Sequence, residues 1–207
     1  MDAEKSYESR KKARREAKKK IIEAAADLIH ESGYHTITLD QIAERLHISK
    51  VSIYHHWTSK QELMFDLMRI GYKAFIERLG AIVKDNDTPD SKLRRVIEEH
   101  VTQAVVSKIS TMMNEQQWHL ASRHRKELIK LRDTYDQMFC QIIIDGINQG
   151  LFRKIDAKLL YYTIMGAVNY AWIWYSPEGR MSVKDIASNM SGFILDGIRA
   201  NATGKKR

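Results

Sequence analysis

One cysteine in 207 residues, Cys140, rules out an internal disulfide and any zinc site built from several thiolates. Only two prolines and ten glycines interrupt a chain rich in helix formers, which leaves little room for the many turns of a sandwich and predicts an all-α protein. No run of about eighteen apolar residues is present to span a membrane. The N-terminus is charged where a signal peptide would be apolar, so the expected location is the cytoplasm. Also missing are a phosphate-cradling glycine loop, a His-Glu-x-x-His pair and a nucleophile beside a base, so no enzyme activity is expected. The histidines make no metal site: His55 and His56 are adjacent and point about a hundred degrees apart on a helix, while His119 and His124 straddle an expected helix break.

What the chain has is positive charge, +8 net, unevenly placed. Residues 1–20 hold nine Lys or Arg against four acids, while residues 21–65 hold three against six. The excess therefore sits on a basic N-terminal arm, residues 1–17, expected either to follow the phosphates of DNA or to remain a solvated tail.

The most informative stretch runs from Thr38 to Lys60. Thr38 caps a helix whose apolar residues Leu39, Ile42, Ala43 and Leu46 recur at helical spacing, and Ser49 caps a second, short helix. Two amphipathic helices joined by a tight turn form a helix-turn-helix. The second keeps Ile53 for the core and turns Lys50, Ser52, Tyr54 and His55 outward, a face narrow enough for a DNA major groove. Lys50, Ser52 and His55 are the candidates for base edges, and Tyr54 for a phosphate. Lys60, in the first turn of the next helix, is expected to clamp the backbone, and Thr38, Gln41 and Thr58 either donate to phosphates or serve only as caps.

A helix from Lys18, with Ile21, Ile22, Ala25, Leu28 and Ile29 on one face and Gly33 closing it, completes a three-helix DNA-binding domain over residues 18–65. A long helix from Thr58 or Ser59 to about Lys84 then leads into a helical body, residues 66–207. Asp85–Asp90 breaks it. Five further helices are expected at 91–107, 111–121, 126–149, 157–175 and 183–200, about nine in all. Gly150 closes the third, Asp156 caps the fourth and Ser182 the last.

These residues resemble the TetR family of bacterial transcription regulators. The match covers Ile21 to about Leu67: a helix ending in Gly33-Tyr34, then Thr38-Leu39-x-x-Ile42-Ala43, Ile48-Ser49-Lys50-Val51-Ser52-Ile53-Tyr54-His55-His56-Trp57 and Ser59-Lys60-x-Glu62-Leu63. Val51 stands where the family usually has glycine or a small residue, and Trp57 where it usually has phenylalanine. The resemblance implies a homodimer on a palindromic operator in double-stranded DNA, with a body that binds a small molecule and releases the DNA. Gly166–Tyr170, Trp174–Gly179 and Ile186-Ala187 are similar to members that control fatty-acid, steroid or aromatic-acid degradation and respond to acyl-CoA thioesters.

In that family, helices corresponding to those of Trp118, Tyr135, Met138 and Phe139 line an internal cavity, as do those of Ile142, Met165, Asn169 and Trp172. Taken singly, each residue fits ordinary core packing better than a ligand role. Together they form a set of aromatic and methionine side chains around one polar anchor, Asn169, suited to a small hydrophobic effector. Arg123, Arg125 and Arg132, with Lys126 and Lys130, form either a solvated face or a site for the phosphates of coenzyme A. No cofactor is expected beyond such an effector. Tyr162, Met165, Val168 and Trp172, with Ile186, Met190, Phe193, Ile194, Gly197 and Ile198, form two stripes expected to build a four-helix dimer bundle. The competing expectation is a ligand-independent dimeric DNA-binding protein whose body is only a scaffold.

Overall fold

A computed structural model describes residues 2–33, 35–106 and 120–200. Among the described residues the chain is helical, with one isolated bridge between Phe152 and Arg199 and no strand. In chain order the helices are α1 (Asp2–Ser32), α2 (Leu39–Arg45), α3 (Lys50–Tyr54), α4 (Lys60–Lys84), α5 (Pro89–Val106), α6 (Ser122–Asn148), α7 (Ala157–Asn169), α8 (Ala171–Trp174) and α9 (Val183–Ile198). The helix expected over 111–121 falls almost wholly outside the described residues.

α1 starts well before Lys18. The expected arm is the exposed first half of a continuous helix, because residues 2–17 contain neither glycine nor proline and are dominated by Ala, Glu, Lys and Arg. Apolar periodicity begins only where the helix meets the core, at Ile21, and so marks the start of burial, not of helix. Gly33 closes the helix at φ +77, its amide bonded to the Ile29 carbonyl at 2.8 Å.

Thr38 forms a capping box with Gln41 at the start of α2, Ser49 caps α3 through the Ser52 amide, and Ser59 caps α4 through the Glu62 amide. The turn between α2 and α3 is pinned by His47 at φ +53, with the Ile48 amide reaching back to the Ala43 carbonyl at 3.0 Å. α4 runs for 25 residues, about 37 Å at 1.5 Å per residue, and joins the first three helices to the rest.

α5 is the central helix of the body and packs on α4, α6, α7, α8 and α9. Its Leu93, Val96, Ile97 and Val101 are at most 2% exposed, and they join a core continuous from Ile21 to Ile198. α4 and α6 run in the same direction: Glu62 lies beside Arg123, Phe65 beside His124 and Phe75 beside Tyr135. The helix expected over 157–175 is divided at Tyr170. No proline causes this; apart from Ala171, Tyr170–Tyr175 consists of aromatic and β-branched residues of low helix propensity, and the Ile173 amide bonds three residues back to Tyr170. Gly146 lets Phe152 fold against α6, since a Cβ there would sit 2.2 Å from the ring.

Candidate DNA-reading helix and ligand cavity

α3 presents Lys50, Val51, Tyr54 and His55 to solvent, while Ile53 is fully buried. Ser52 is only half-buried, its hydroxyl 2.9 Å from that of Ser49 and its amide held by the Ser49 oxygen, so part of its bonding capacity belongs to the cap. Lys50 Nζ meets Asp40 Oδ2 of α2 at 2.5 Å, a hydrogen bond that raises its pKa. Thr58 donates through both its amide and hydroxyl to Glu62. Thr38 and Gln41 are exposed and engaged with each other. The Lys60 ammonium donates to the His35 carbonyl at 3.3 Å, and burial lowers its pKa.

Behind this ridge lies a carboxylate that sequence patterning missed. Asp66 is 7% exposed, yet it accepts from Trp57 Nε1 at 3.0 Å, Lys18 Nζ at 2.7 Å and Arg69 Nη2 at 2.6 Å. Burial alone would raise its pKa; the three donors outweigh burial and hold the group below the usual aspartate range. Lys18 also lies 5.1 Å over the Trp57 ring. One acid thus ties α1, the end of the α3 turn and α4 together.

Nearer the middle of the body, α4 to α7 enclose a cavity of about 280 Å³. Tyr72 and Phe75 of α4 and His100 of α5 form one side; Arg132, Tyr135 and Asp136 come from α6. Tyr161, Tyr162, Met165 and Asn169 of α7 complete the wall. His100 Nδ1 lies 2.9 Å from the Tyr135 hydroxyl and its Nε2 lies 2.8 Å from Asn169 Oδ1. The Tyr161 hydroxyl donates to Asp136, whose pKa burial raises despite that bond. Tyr135 and Tyr161 are both raised far above the phenol range, first by burial, so both stay protonated.

Of the residues singled out as effector ligands, the structure brings Arg132, Tyr135, Met165 and Asn169 together at this cavity. Phe139 and Ile142 are instead buried in the core, and Met138 packs against it beside Gly80. Trp172 sits half-buried on the short α8. Arg123 reaches toward Glu62 at 3.7 Å, and Arg125 lies with it in the first turn of α6, two turns from Arg132. Trp118 lies outside the described residues. Tyr72, Phe75, His100, Asp136 and Tyr161 were missed, because each occupies an unremarkable helical position and they meet only in three dimensions, and Tyr162, expected at the dimer surface, lines the cavity as well.

The two stripes expected at a dimer surface divide differently. Met165 and Val168 turn inward, and Ile186 and Ile198 are buried, mainly because α9 packs on α5. Between Ala157 and Ile198 the large apolar side chains that remain exposed are Leu159, Tyr162, Tyr170, Ile173, Trp174 and Phe193, the last 74% exposed. Phe193 shares α9 with Gly192 and Gly197, where an added Cβ meets nothing. Cys140 is half-buried, and burial raises its thiol pKa, which disfavours the reactive thiolate. Among the described residues no three His, Cys, Asp or Glu gather as metal ligands, and no helix is long and apolar enough to cross a membrane.

Residues 21–67 match the family described as bacterial regulatory proteins of the tetR family, and residues 86–198 match the tetracyclin repressor-like C-terminal domain. The chain is 27% identical to the HTH-type transcriptional repressor KstR2 of Mycobacterium tuberculosis, over 86% of its own length and 90% of the relative's. It is 24% identical to the fatty acid metabolism regulator protein of Bacillus subtilis, over 86% and 93%. Among solved structures it resembles AibR in complex with isovaleryl coenzyme A and operator DNA, at 25% identity and TM-score 0.79, covering 86% of this chain and 98% of that one. The second match alone spans more than half of the chain, and the helix-turn-helix falls inside the first: the chain belongs to the TetR family of bacterial regulatory proteins and is a TetR-type transcriptional repressor, a DNA-binding homodimer.

Proposed function

We propose that this repressor is ligand-responsive: it holds a palindromic operator through α3 and leaves it when a small hydrophobic effector, an acyl-CoA thioester, enters the cavity of the body. The observation that carries the reading is that α4, which begins six residues after α3 ends, itself supplies Tyr72 and Phe75 to the cavity wall. A guest that separates α4 from α6 therefore acts on the helix that positions the reader. At about 280 Å³ the space lies just under the range of about 300–1,000 Å³ usual for small-molecule pockets, room for an acyl group but not for a whole coenzyme thioester. The solved relative named for isovaleryl coenzyme A and operator DNA has both ligands of the proposed cycle.

Lys50, Tyr54 and His55 are the exposed side chains that meet the major groove, with Ser52 contributing from its half-buried position. Thr38, Gln41, Thr58 and Lys60 flank them as phosphate contacts, Lys60 by exchanging the His35 carbonyl for a phosphate oxygen. A repressor of this kind works beside its DNA in the cytoplasm. The test uses a duplex selected by the protein from random sequences. Lys50→Ala and Tyr54→Ala each weaken binding about tenfold or more at fixed salt, whereas unchanged binding by both removes α3 from the interface. Acyl-CoA thioesters raise the melting temperature of the free protein; no rise with any chain length removes the effector.

A further inference from the structure

His100 is 8% exposed, Phe75 stacks on it with centroids 5.2 Å apart, and both of its ring nitrogens are engaged, one with Tyr135 and one with Asn169. Burial lowers its pKa, so the ring is neutral and carries a single N–H. A neutral imidazole between a phenol and an amide has two complete arrangements. With the proton on Nε2, that N–H donates to Asn169 Oδ1 and the Tyr135 hydroxyl donates to Nδ1; the amide NH₂ and the phenol lone pairs are then left over. With the proton on Nδ1 and the amide turned over, the leftover groups are the phenol O–H and the amide carbonyl. Each arrangement leaves one donor and one acceptor on residues that line the cavity.

We infer that the Asn169 amide N–H, turned to the cavity when His100 Nε2–H donates to Asn169 Oδ1 and the Tyr135 hydroxyl donates to Nδ1, holds the carbonyl oxygen of an uncharged acyl group, so that the cavity takes the acyl end of a thioester in preference to a free carboxylic acid. The inference rests on the reading of the cavity as the effector site. Asp136 lines the same space, and a second carboxylate beside it would meet like charge or force one acid to take up a proton. Arg132, shared with Asp133 at 3.3 Å, and Lys158 both act on Asp136 but only partly offset the burial that raises its pKa. The apolar remainder of the guest meets Phe75 and Met165, which have no polar group to offer it.

The experiment titrates the full chain with hexanoyl-CoA and with its thioether analogue S-hexyl-CoA, which lacks only the carbonyl oxygen. The thioester binds about tenfold or more tightly, since a buried donor left unmet is costly. In Asn169→Leu that preference falls to within about twofold while S-hexyl-CoA still binds. Equal affinity of the wild-type chain for both probes overturns the carbonyl contact and leaves the effector site standing. If neither probe binds, the effector reading fails and the contact falls with it. A second readout needs no variant: the infrared band of a ¹³C-labelled thioester carbonyl shifts to lower frequency on binding the wild-type chain, and a band at the position found in an apolar solvent contradicts the inference.

Discussion

His124 lies flat against Phe65, with ring centroids 4.2 Å apart and planes inclined by 12°. The first turn of α6 thus rests on the first turns of α4, and Arg123 approaches Glu62 at 3.7 Å in the same place. Glu62 in turn accepts from Thr58, within the link from α3 to α4. α6 carries Arg132, Tyr135 and Asp136 into the cavity, so a displacement of this one helix has a direct route to the reader.

Asp66 is the first residue to change. Asp66→Asn leaves Lys18 and Arg69 without their shared carboxylate, and because both are about a third exposed, water recovers part of the loss. The expected cost is about 1–3 kcal/mol of stability, with weaker operator binding. The folded pKa is depressed, so the contribution is fully present above the unfolded value of 3.8 and disappears as pH falls through the lower folded value. Thermal melts across the acid range should therefore converge for the two proteins at low pH and separate toward neutrality.

His47 occupies the left-handed region at φ +53, where a side chain is strained. His47→Gly relieves that strain, offset by the greater freedom of glycine in the unfolded chain. A net gain of up to about 1 kcal/mol is expected, with operator affinity unchanged. A lowered melting temperature would mean that the imidazole makes a contribution the turn geometry does not explain.

Phe193 is the most exposed of the large apolar side chains described. Phe193→Ser should raise the dimer dissociation constant, measured by sedimentation, while barely altering the unfolding of the monomer. An unchanged dimer would move the interface away from this part of α9.

The exposed half of α1 carries Arg10, Lys11, Arg14 and Arg15 in two i,i+4 pairs of like charge. Such pairs repel, and an adjoining polyanion relieves the repulsion. Replacing all four by Gln should reduce the slope of log K against log salt for operator binding by between about 1 and 4, at about 0.9 for each phosphate no longer neutralised. An identical slope would make this half of α1 a solvated extension.

The helix-turn-helix was legible because its caps and its 3.6-residue period are local. Thr38, Ser49 and Ser59 each cap the helix that follows them in sequence, and Ile42 and Ile53 are fully buried as their spacing implies. Asp66 was not legible, since a lone acid in a helical pattern looks solvent-facing and its partner Lys18 lies 48 residues away. The cavity was half legible: Tyr135, Met165 and Asn169 carried the right chemistry, but His100 acquires its role only when α5 brings it between α6 and α7. Hydrophobic stripes alone did not distinguish Met165 and Val168, which are buried, from Tyr162, which lines the cavity yet stays 53% exposed. Amphipathic period identifies an apolar face, while the identity of its neighbour depends on how helices distant in sequence pack.

The most direct test of ligand-responsive repression is operator affinity measured with and without a saturating acyl-CoA thioester, with free coenzyme A as the control. Coupling of about 1–3 kcal/mol predicts a loss of about 5- to 150-fold with the thioester and none with coenzyme A alone. Equal affinity in all three conditions, at thioester concentrations that raise the melting temperature, would contradict it.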